Sequence, residues 1–183
     1  MVATQSSMLD IGTLASDFQL NDGQGKSFSL EKSQGKPFLI MFICNHCPYV
    51  IHVIEKLVEI AKFAEAKGIP CFAINSNDIK KYPADSPYNM IKFAEKHAFN
   101  FPYLFDEKQE VAKAYKATCT PDFFLYDKNH KLFYRGQMDD SRPGNNKPIT
   151  GNSLLQAIKD VLKRNDPPKE QKPSIGCNIK WKT

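Results

Sequence analysis

Hydrophobic and polar residues are arranged along the chain in a pattern that predicts short strands joined by longer helices. Two short alternating segments, 17–20 and 27–30, flank a cluster of Asn, Asp and Gly, which is typical of a β-hairpin. Segment 38–43 is continuously apolar, which indicates a strand buried on both faces. Apolar residues then recur every three or four positions until Gly68, so a long helix is predicted to end there.

The rest of the chain continues this alternation of strands and helices. The predicted elements are a buried strand at 69–74, a helix opened by Ser86 and Pro87, a strand at 103–105, a helix at 110–117, an antiparallel pair at 123–126 and 131–134, and a helix at 152–164. This order predicts an α/β fold in which helices flank a central mixed β-sheet. We expect one domain over residues 1–183, with a core at about 11–164 and a basic C-terminal tail, 165–183, extended over the surface.

Composition and charge exclude several classes of protein. The longest apolar run, 38–44, is far too short to span a bilayer, and residues 1–10 do not resemble a secretory signal. Five cysteines in 183 residues do not suggest a disulfide scaffold, so we expect a reducing, cytoplasmic setting. Residues 157–183 contain seven basic and three acidic side chains and so hold +4 of the net charge of +5. No basic stripe with interleaved aromatic residues is present, so neither a nucleic acid nor a membrane is expected as a partner.

The most informative motif is a pair of cysteines, Cys44 and Cys47, placed where the buried strand gives way to the long helix. Two cysteines at this spacing can close a small disulfide, and a helix N-terminus favours a thiolate. We expect Cys44 to be the more exposed sulfur and the nucleophile, and Cys47 to be the resolving thiol. A protonated His46 between them would tune the pKa of Cys44 downwards. Segment 38–43 contains no carboxylate, so a buried proton acceptor must come from elsewhere in the fold.

The same cysteines could form half of a metal site. A zinc site of the common kind needs a second CxxC or an HxxxH, and neither follows. The other sulfurs, Cys71, Cys119 and Cys177, are scattered singly. No metal and no organic cofactor is therefore expected, although a redox-inactive module that binds a metal or a protein stays an alternative.

Four features together resemble a known family. They are segment 15–20 with its hairpin, segment 35–37 before the first core strand, the CxxC, and Thr120-Pro121 leading into 122–125. Over about residues 11–164 the chain resembles thioredoxin-like proteins of the redoxin branch, the alkyl hydroperoxide reductase and thiol-specific antioxidant (peroxiredoxin-like) group. The resemblance implies a thioredoxin-like fold with a βα insertion near 69–98 and a cis bond before Pro121. It also implies that Thr120 and Pro121 offer backbone groups to a substrate chain, as an added strand.

The chain departs from the peroxidases of this group at one position. They carry Pro, three residues, Thr or Ser, two residues and Cys, whereas Met41 stands at the hydroxyl position between Pro37 and Cys44. A thioether cannot donate a hydrogen bond to a bound peroxide. Dithiol–disulfide exchange is therefore favoured over peroxidase action.

The sequence thus predicts an enzyme, a thiol–disulfide oxidoreductase that reacts with a protein or small-molecule disulfide and is restored by an electron-donor reductase. The alternative enzyme is a thiol peroxidase, an antioxidant in which Cys44 attacks a peroxide and Cys47 or Cys177 resolves the product. Two accessory thiols are left open. Cys119 is either a third redox thiol or a small core residue, and Cys177 is either a distant resolving thiol that folds back or an exposed side chain.

Overall fold

The computed structural model describes residues 3–183, apart from the side chain of Lys32. The strands are β1 (Ala3–Gln5), β2 (Gln19–Asp22), β3 (Ser27–Ser29), β4 (Phe38–Phe42), β5 (Cys71–Asn75), β6 (Tyr103–Phe105), β7 (Cys119–Thr120), β8 (Asp122–Tyr126), β9 (Leu132–Gly136) and β10 (Ile175–Asn178). The α-helices are α1 (Pro48–Ala66), α2 (Pro87–Lys96), α3 (Glu110–Ala114) and α4 (Asn152–Lys163). Single 3₁₀ turns cover Leu30–Ser33 and Pro83–Asp85.

The central sheet has seven strands in the order β3-β2-β6-β5-β4-β8-β9. β4, β5 and β6 are parallel, whereas β8 runs antiparallel to β4 and β9 antiparallel to β8. The sheet is therefore mixed, as the order of the predicted elements indicates. β4 lies between β5 and β8, and all five of its residues are buried, which explains its unbroken apolar sequence.

Helices cover both faces of this sheet, which confirms the predicted α/β architecture. Leu39 and Met41 of β4 belong to a core cluster with the buried faces of α1 and α4. Phe38, Ile40 and Phe42 belong to a second cluster that includes residues of α3. Alternate residues of a strand point to opposite faces, so β4 supplies the centre of both cores.

Two further details concern the helices: the apolar face of α4 and the length and composition of the helices as a group. In α4 Leu154, Ile158 and Val161 are buried, whereas Leu155 is only partly buried and Leu162 is 36% exposed, because both lie at the edge of the apolar face. Within residues 3–183 no helix combines the length and the apolar composition that a membrane span requires.

The C-terminal tail does not simply extend over the surface. Residues 175–178 form β10, which lies between β1 and β7 in a second sheet of three strands. Cys177 is 2% exposed and Ile179 is 1% exposed. The prediction of a surface tail is wrong because Ile175, Cys177 and Ile179 alternate with polar or small residues, a short strand pattern within a polar segment.

Candidate active site

Cys44 and Cys47 lie at the junction between β4 and α1. The strand ends at Phe42 and the helix begins at Pro48, so Cys47 is the N-cap residue of α1. Both cysteines are buried, with 1% and 0% of their surface exposed. The expected difference in exposure between the two sulfurs is not seen, because residues from strand β7 and from the loop after β5 enclose Cys44 as well.

Thr120 contacts both cysteines from the opposite side. Its hydroxyl Oγ1 is 3.3 Å from Cys44 Sγ, and its carbonyl oxygen lies 3.2 Å from Cys47 Sγ and accepts a hydrogen bond from it when Cys47 is in the thiol form. The following peptide bond, Thr120–Pro121, is cis. The structure thus brings the CxxC and the Thr-Pro pair into one site, although 73 residues separate Cys47 from Thr120.

The tail completes this cluster of sulfurs. Cys177 of β10 pairs in register with Thr120 of β7, and its Sγ lies 2.8 Å from Cys47 Sγ. The backbone of Thr120 was expected to receive a substrate chain as an added strand, but the chain's own β10 pairs with it. Of the two alternatives for Cys177, an exposed side chain is wrong, and the structure places this thiol beside the CxxC.

A buried carboxylate, Asp85, organises the other side of the site. Its Oδ2 forms an ion pair with His46 Nδ1 at 2.7 Å, and its Oδ1 accepts a hydrogen bond from the backbone N–H of Asn45 at 2.8 Å. Asn77 Nδ2 donates to Oδ2 at 2.8 Å. The imidazole stacks on Tyr82, with ring centroids 5.4 Å apart and planes within 8°. The carboxylate of Asp85 beside the imidazole raises the pKa of His46.

The hydrogen bonds among the three thiols shift the pKa values of Cys47 and Cys44 in opposite directions. Hydrogen bonds from the thiols of Cys177 and Cys44 lower the pKa of Cys47, and the backbone N–H of Val50 acts in the same direction. The pKa of Cys44 is raised, first by its hydrogen bond with Cys47, then by burial and then by the charge of Asp85. The nearest anion to the imidazole is Asp85, and the expected lowering of the pKa of Cys44 by a protonated His46 stays a prediction.

Cys119 and Cys71 stand apart from this cluster. Cys119 is fully buried in β7, and its Sγ lies 3.9 Å from the carbonyl oxygen of Pro121. Cys71 lies in β5, and its contacts are backbone carbonyls at 3.6 and 3.9 Å. Burial raises the pKa of both thiols, so both are neutral in the folded protein. Of the two accessory thiols, the structure brings Cys177 into the cluster and gives Cys119 a core position.

Sequence reasoning missed Asp85, Asn77 and Tyr82, which all lie in the loop that follows β5. The signal was present, since this loop is rich in Asn, Asp and Pro. β4 and β5 are parallel, so their carboxyl ends reach the same edge of the sheet. A polar loop after β5 must therefore lie beside the cysteines that follow β4.

Three groups here have the chemistry of metal ligands. The Cys44 thiol, a nitrogen of the His46 ring and a carboxylate oxygen of Asp85 lie within 4.8 Å of one another. A tetrahedral zinc site uses such donors but needs a fourth ligand. The three donors by themselves therefore do not complete such a site.

Comparisons with known proteins agree with this reading of the fold. The sequence profile of the AhpC/TSA family matches residues 11–135, and the chain therefore belongs to the AhpC/TSA family. A relative of known name is the thiol-disulfide oxidoreductase ResA of Geobacillus thermodenitrificans (strain NG80-2). It is 27% identical over 159 residues, which are 87% of this chain and 80% of that protein.

Comparison with solved structures supports the overall fold of the chain. An "uncharacterized conserved protein" from Geobacillus kaustophilus superposes with a TM-score of 0.96 at 50% identity, over 100% of this chain and 97% of that one. A thiol:disulfide interchange protein of the thioredoxin family from Chlorobium tepidum TLS superposes with a TM-score of 0.64 at 18% identity, over 85% and 99% of the two chains, which supports the fold alone. The predicted thioredoxin-like fold is thus confirmed, and the family supports the prediction of an oxidoreductase.

Proposed function

We propose that this chain is a thiol–disulfide oxidoreductase in which Cys44 and Cys47 form the reactive dithiol. The observation that carries this proposal is the convergence of both sulfurs on Thr120, which contacts Cys44 through its hydroxyl and Cys47 through its carbonyl. The name of the ResA relative supports the same class of reaction. A substrate disulfide would come from a protein or a small molecule, and a separate reductase would restore the dithiol.

In the first step the sulfur of Cys44 attacks one sulfur of the substrate disulfide. Cys44 is assigned this role because Cys47 is shielded between Cys44 and Cys177, whereas Asn45 and His46, which follow Cys44 directly, are only half-buried. The neighbouring Cys47 thiolate accepts the proton that Cys44 gives up. A mixed disulfide forms, the substrate S–S bond breaks, and one substrate sulfur leaves as a thiolate.

In the second step Cys47 resolves the mixed disulfide. Its proton passes to the departing substrate thiolate, and the regenerated Cys47 thiolate attacks Cys44 Sγ. The second substrate sulfur leaves, and the chain is left with a Cys44–Cys47 disulfide. Overall two electrons pass from the dithiol to the substrate. The low pKa of Cys47 suits this step, since a thiolate is the attacking species.

The His46–Asp85 pair positions this chemistry and supplies charge to it. Asp85 holds the backbone of Asn45 as well as the imidazole, so it fixes the turn between the two cysteines. A protonated imidazole at this place can give a proton to a leaving thiolate. The cytoplasmic setting expected from the sequence stays a prediction.

The test is disulfide reduction by single-cysteine variants. We expect Cys44→Ser to abolish the reduction of insulin disulfides, and Cys47→Ser to accumulate covalent adducts through Cys44. Cys71→Ser is the matched control, because this thiol is buried in β5 and takes no part in the proposed reaction. Full insulin reduction by Cys44→Ser would overturn the proposal.

One observation favours a second function, a thiol peroxidase. Met41 is buried in β4 and supplies no hydroxyl, but Thr120 Oγ1 lies 3.3 Å from Cys44 Sγ and could polarise a bound peroxide instead. Cys44 would then become a sulfenic acid as the peroxide O–O bond breaks, and Cys47 would condense with it, releasing water. Rapid consumption of hydrogen peroxide that depends on Cys44 would favour this function. A rate no higher than that of free cysteine would exclude it.

A further inference from the structure

The C-terminal strand is fixed firmly against the thiols. β10 is paired on both sides, with β1 and with β7. Beyond it, the backbone N–H of Ile179 donates to the carbonyl of Thr118 at 3.0 Å, and the backbone N–H of Lys180 donates to Asn77 Oδ1 at 2.8 Å. Asn77 also donates a hydrogen bond to Asp85, so the tail and the CxxC loop share one hydrogen-bond network.

The residue before Cys177 allows this close approach. A Cβ on Gly176 would lie 1.9 Å from the carbonyl oxygen of Thr120 and 2.6 Å from its carbonyl carbon. Both contacts are with backbone, so no side chain can move aside to relieve them. Glycine at this position thus lets β10 come near enough to bring Cys177 to Cys47.

The sulfurs of Cys47 and Cys177 are placed for bond formation. They lie 2.8 Å apart, about 0.8 Å more than the length of an S–S bond, and both side chains are buried. Cys47 also shares a hydrogen bond with Cys44. Cys47 is therefore the middle member of a row of three sulfurs and has two neighbours with which it can pair.

We propose that Cys177 is a third redox thiol, which takes Cys47 from Cys44 by intramolecular exchange. This proposal rests on the proposed function, because that reaction supplies the Cys44–Cys47 disulfide. Cys177, as a thiolate, attacks Cys47 Sγ; the Cys44–Cys47 bond breaks and a Cys47–Cys177 bond forms. The proton lost by Cys177 is taken up by the released Cys44, so no net oxidation occurs and no further reactant is needed.

The exchange has a chemical consequence for the site. It returns Cys44 to the thiol form while the oxidising equivalent is held in a buried disulfide. The external reductase would then meet a chain whose tail is covalently closed over the CxxC. Cys44 could meanwhile attack a second substrate disulfide.

The experiment is a disulfide map of the full chain oxidised with diamide, quenched in acid, alkylated and digested with trypsin. Cys44 and Cys47 fall in peptide 33–56 and Cys177 in peptide 170–180. We expect wild type to give a cross-linked pair of these peptides whose fragmentation assigns the bond to Cys47 and Cys177. We expect loss of the link in Cys177→Ser, with Cys119→Ser as the matched control that keeps it. In Cys44→Ser no exchange can occur, and diamide should oxidise Cys47 and Cys177 directly to the same bond.

Each outcome decides between the two proposals. A Cys44–Cys47 disulfide in oxidised wild type without any Cys47–Cys177 link would overturn the exchange and leave the proposed function standing. Failure of Cys177→Ser to form Cys44–Cys47 would count against the proposed function itself. The decisive measurement is made on wild type, so a variant that fails to fold does not remove the test.

Discussion

The two thiol partners of Cys47 are held in place by very different means. Cys44 is three residues away, and the start of α1 fixes it locally. Cys177 is 130 residues away, and it is fixed by strand register and by a glycine that allows two backbones to meet. A local motif can be recognised from spacing alone, whereas a partner held by sheet pairing becomes visible only when the topology is known.

The surroundings of the two partners also differ. Asp85 stands near Cys44 and adds to the rise in its pKa, whereas the charge of Lys180 opposes the rise in the pKa of Cys177. The hydrogen bond with Cys47 and burial raise the pKa of both outer thiols, so the two ends of the row differ in the sign of the contribution from the nearby charged side chain. The five predictions that follow begin with the largest expected effect, and the last of them alters Cys119, which is neither partner, as a contrast.

Gly176→Ala should separate the distant partner from Cys47. The added methyl group meets the Thr120 carbonyl, so β10 must move away or the cis-proline loop must shift. We expect the Cys47–Cys177 link to be lost on oxidation and the free energy of unfolding to fall by about 1–3 kcal/mol. Peptide mapping and urea denaturation measure the two effects.

Gly25→Ala is the control for this variant. Gly25 has a positive φ of 86° in an exposed turn with open space around it, so alanine there adds backbone strain without a clash. It should lose stability and keep the link. Wild-type linkage in Gly176→Ala would show that register alone positions Cys177.

Asp85→Asn should change the pKa of Cys44, the near partner of Cys47, and leave β10 in place. The pKa of His46 should fall towards its ordinary value, and the pKa of Cys44 should fall too, because a buried negative charge is removed. We expect alkylation of Cys44 at neutral pH to become up to about tenfold faster, as one pKa unit implies. NMR titration of the imidazole and mass-resolved alkylation measure the two values. Glu55→Gln, which removes the exposed partner of His97, should alter neither.

Asp85→Asn should also change the way in which the free energy of unfolding depends on pH. The pKa of His46 is raised in the folded state, so its ion pair stabilises fully below the unfolded pKa of about 6.5 and this contribution is lost as the pH rises through the folded value. The stability difference between wild type and Asp85→Asn should therefore be larger near pH 6 than near pH 9. Urea denaturation at several pH values measures it. A difference that grows with pH would contradict the assigned charge on His46.

Thr120→Val should lower the reactivity of Cys44, and by less than Asp85→Asn raises it. The hydroxyl of Thr120 lowers the pKa of Cys44, and valine keeps the shape of the side chain without that donor. We expect alkylation of Cys44 to slow by about three- to tenfold, which lies within the net contribution of one ordinary hydrogen bond. Thr118→Val is the matched control, because that hydroxyl bonds to the carbonyl of Gln5. Unchanged alkylation would mean that Thr120 serves Cys44 only through its backbone.

Much of this molecule can be inferred from local sequence. The buried strand β4, the helix that follows the CxxC and the cap at Ser86 all rest on interactions within a few residues. The approach of Asp85 depends on two parallel strands ending at the same edge, and the approach of Cys177 on β10 entering a second sheet. These contacts join distant segments, so the sequence pattern indicates the groups without indicating which of them meet.

Cys119 provides the smallest expected effect and the sharpest contrast with Cys177. Both cysteines lie in the second sheet, in paired strands, and both are buried, yet Cys177 contacts a sulfur whereas Cys119 contacts a carbonyl. Cys119→Ala should therefore leave insulin reduction and the Cys47–Cys177 link unchanged and lower the free energy of unfolding by about 1 kcal/mol through lost packing. Activity and unfolding measured side by side with Cys177→Ala make the test. If Cys119→Ala removed the link, proximity to Pro121 rather than contact with Cys47 would define the redox thiols, and the row of three sulfurs would have to include a fourth.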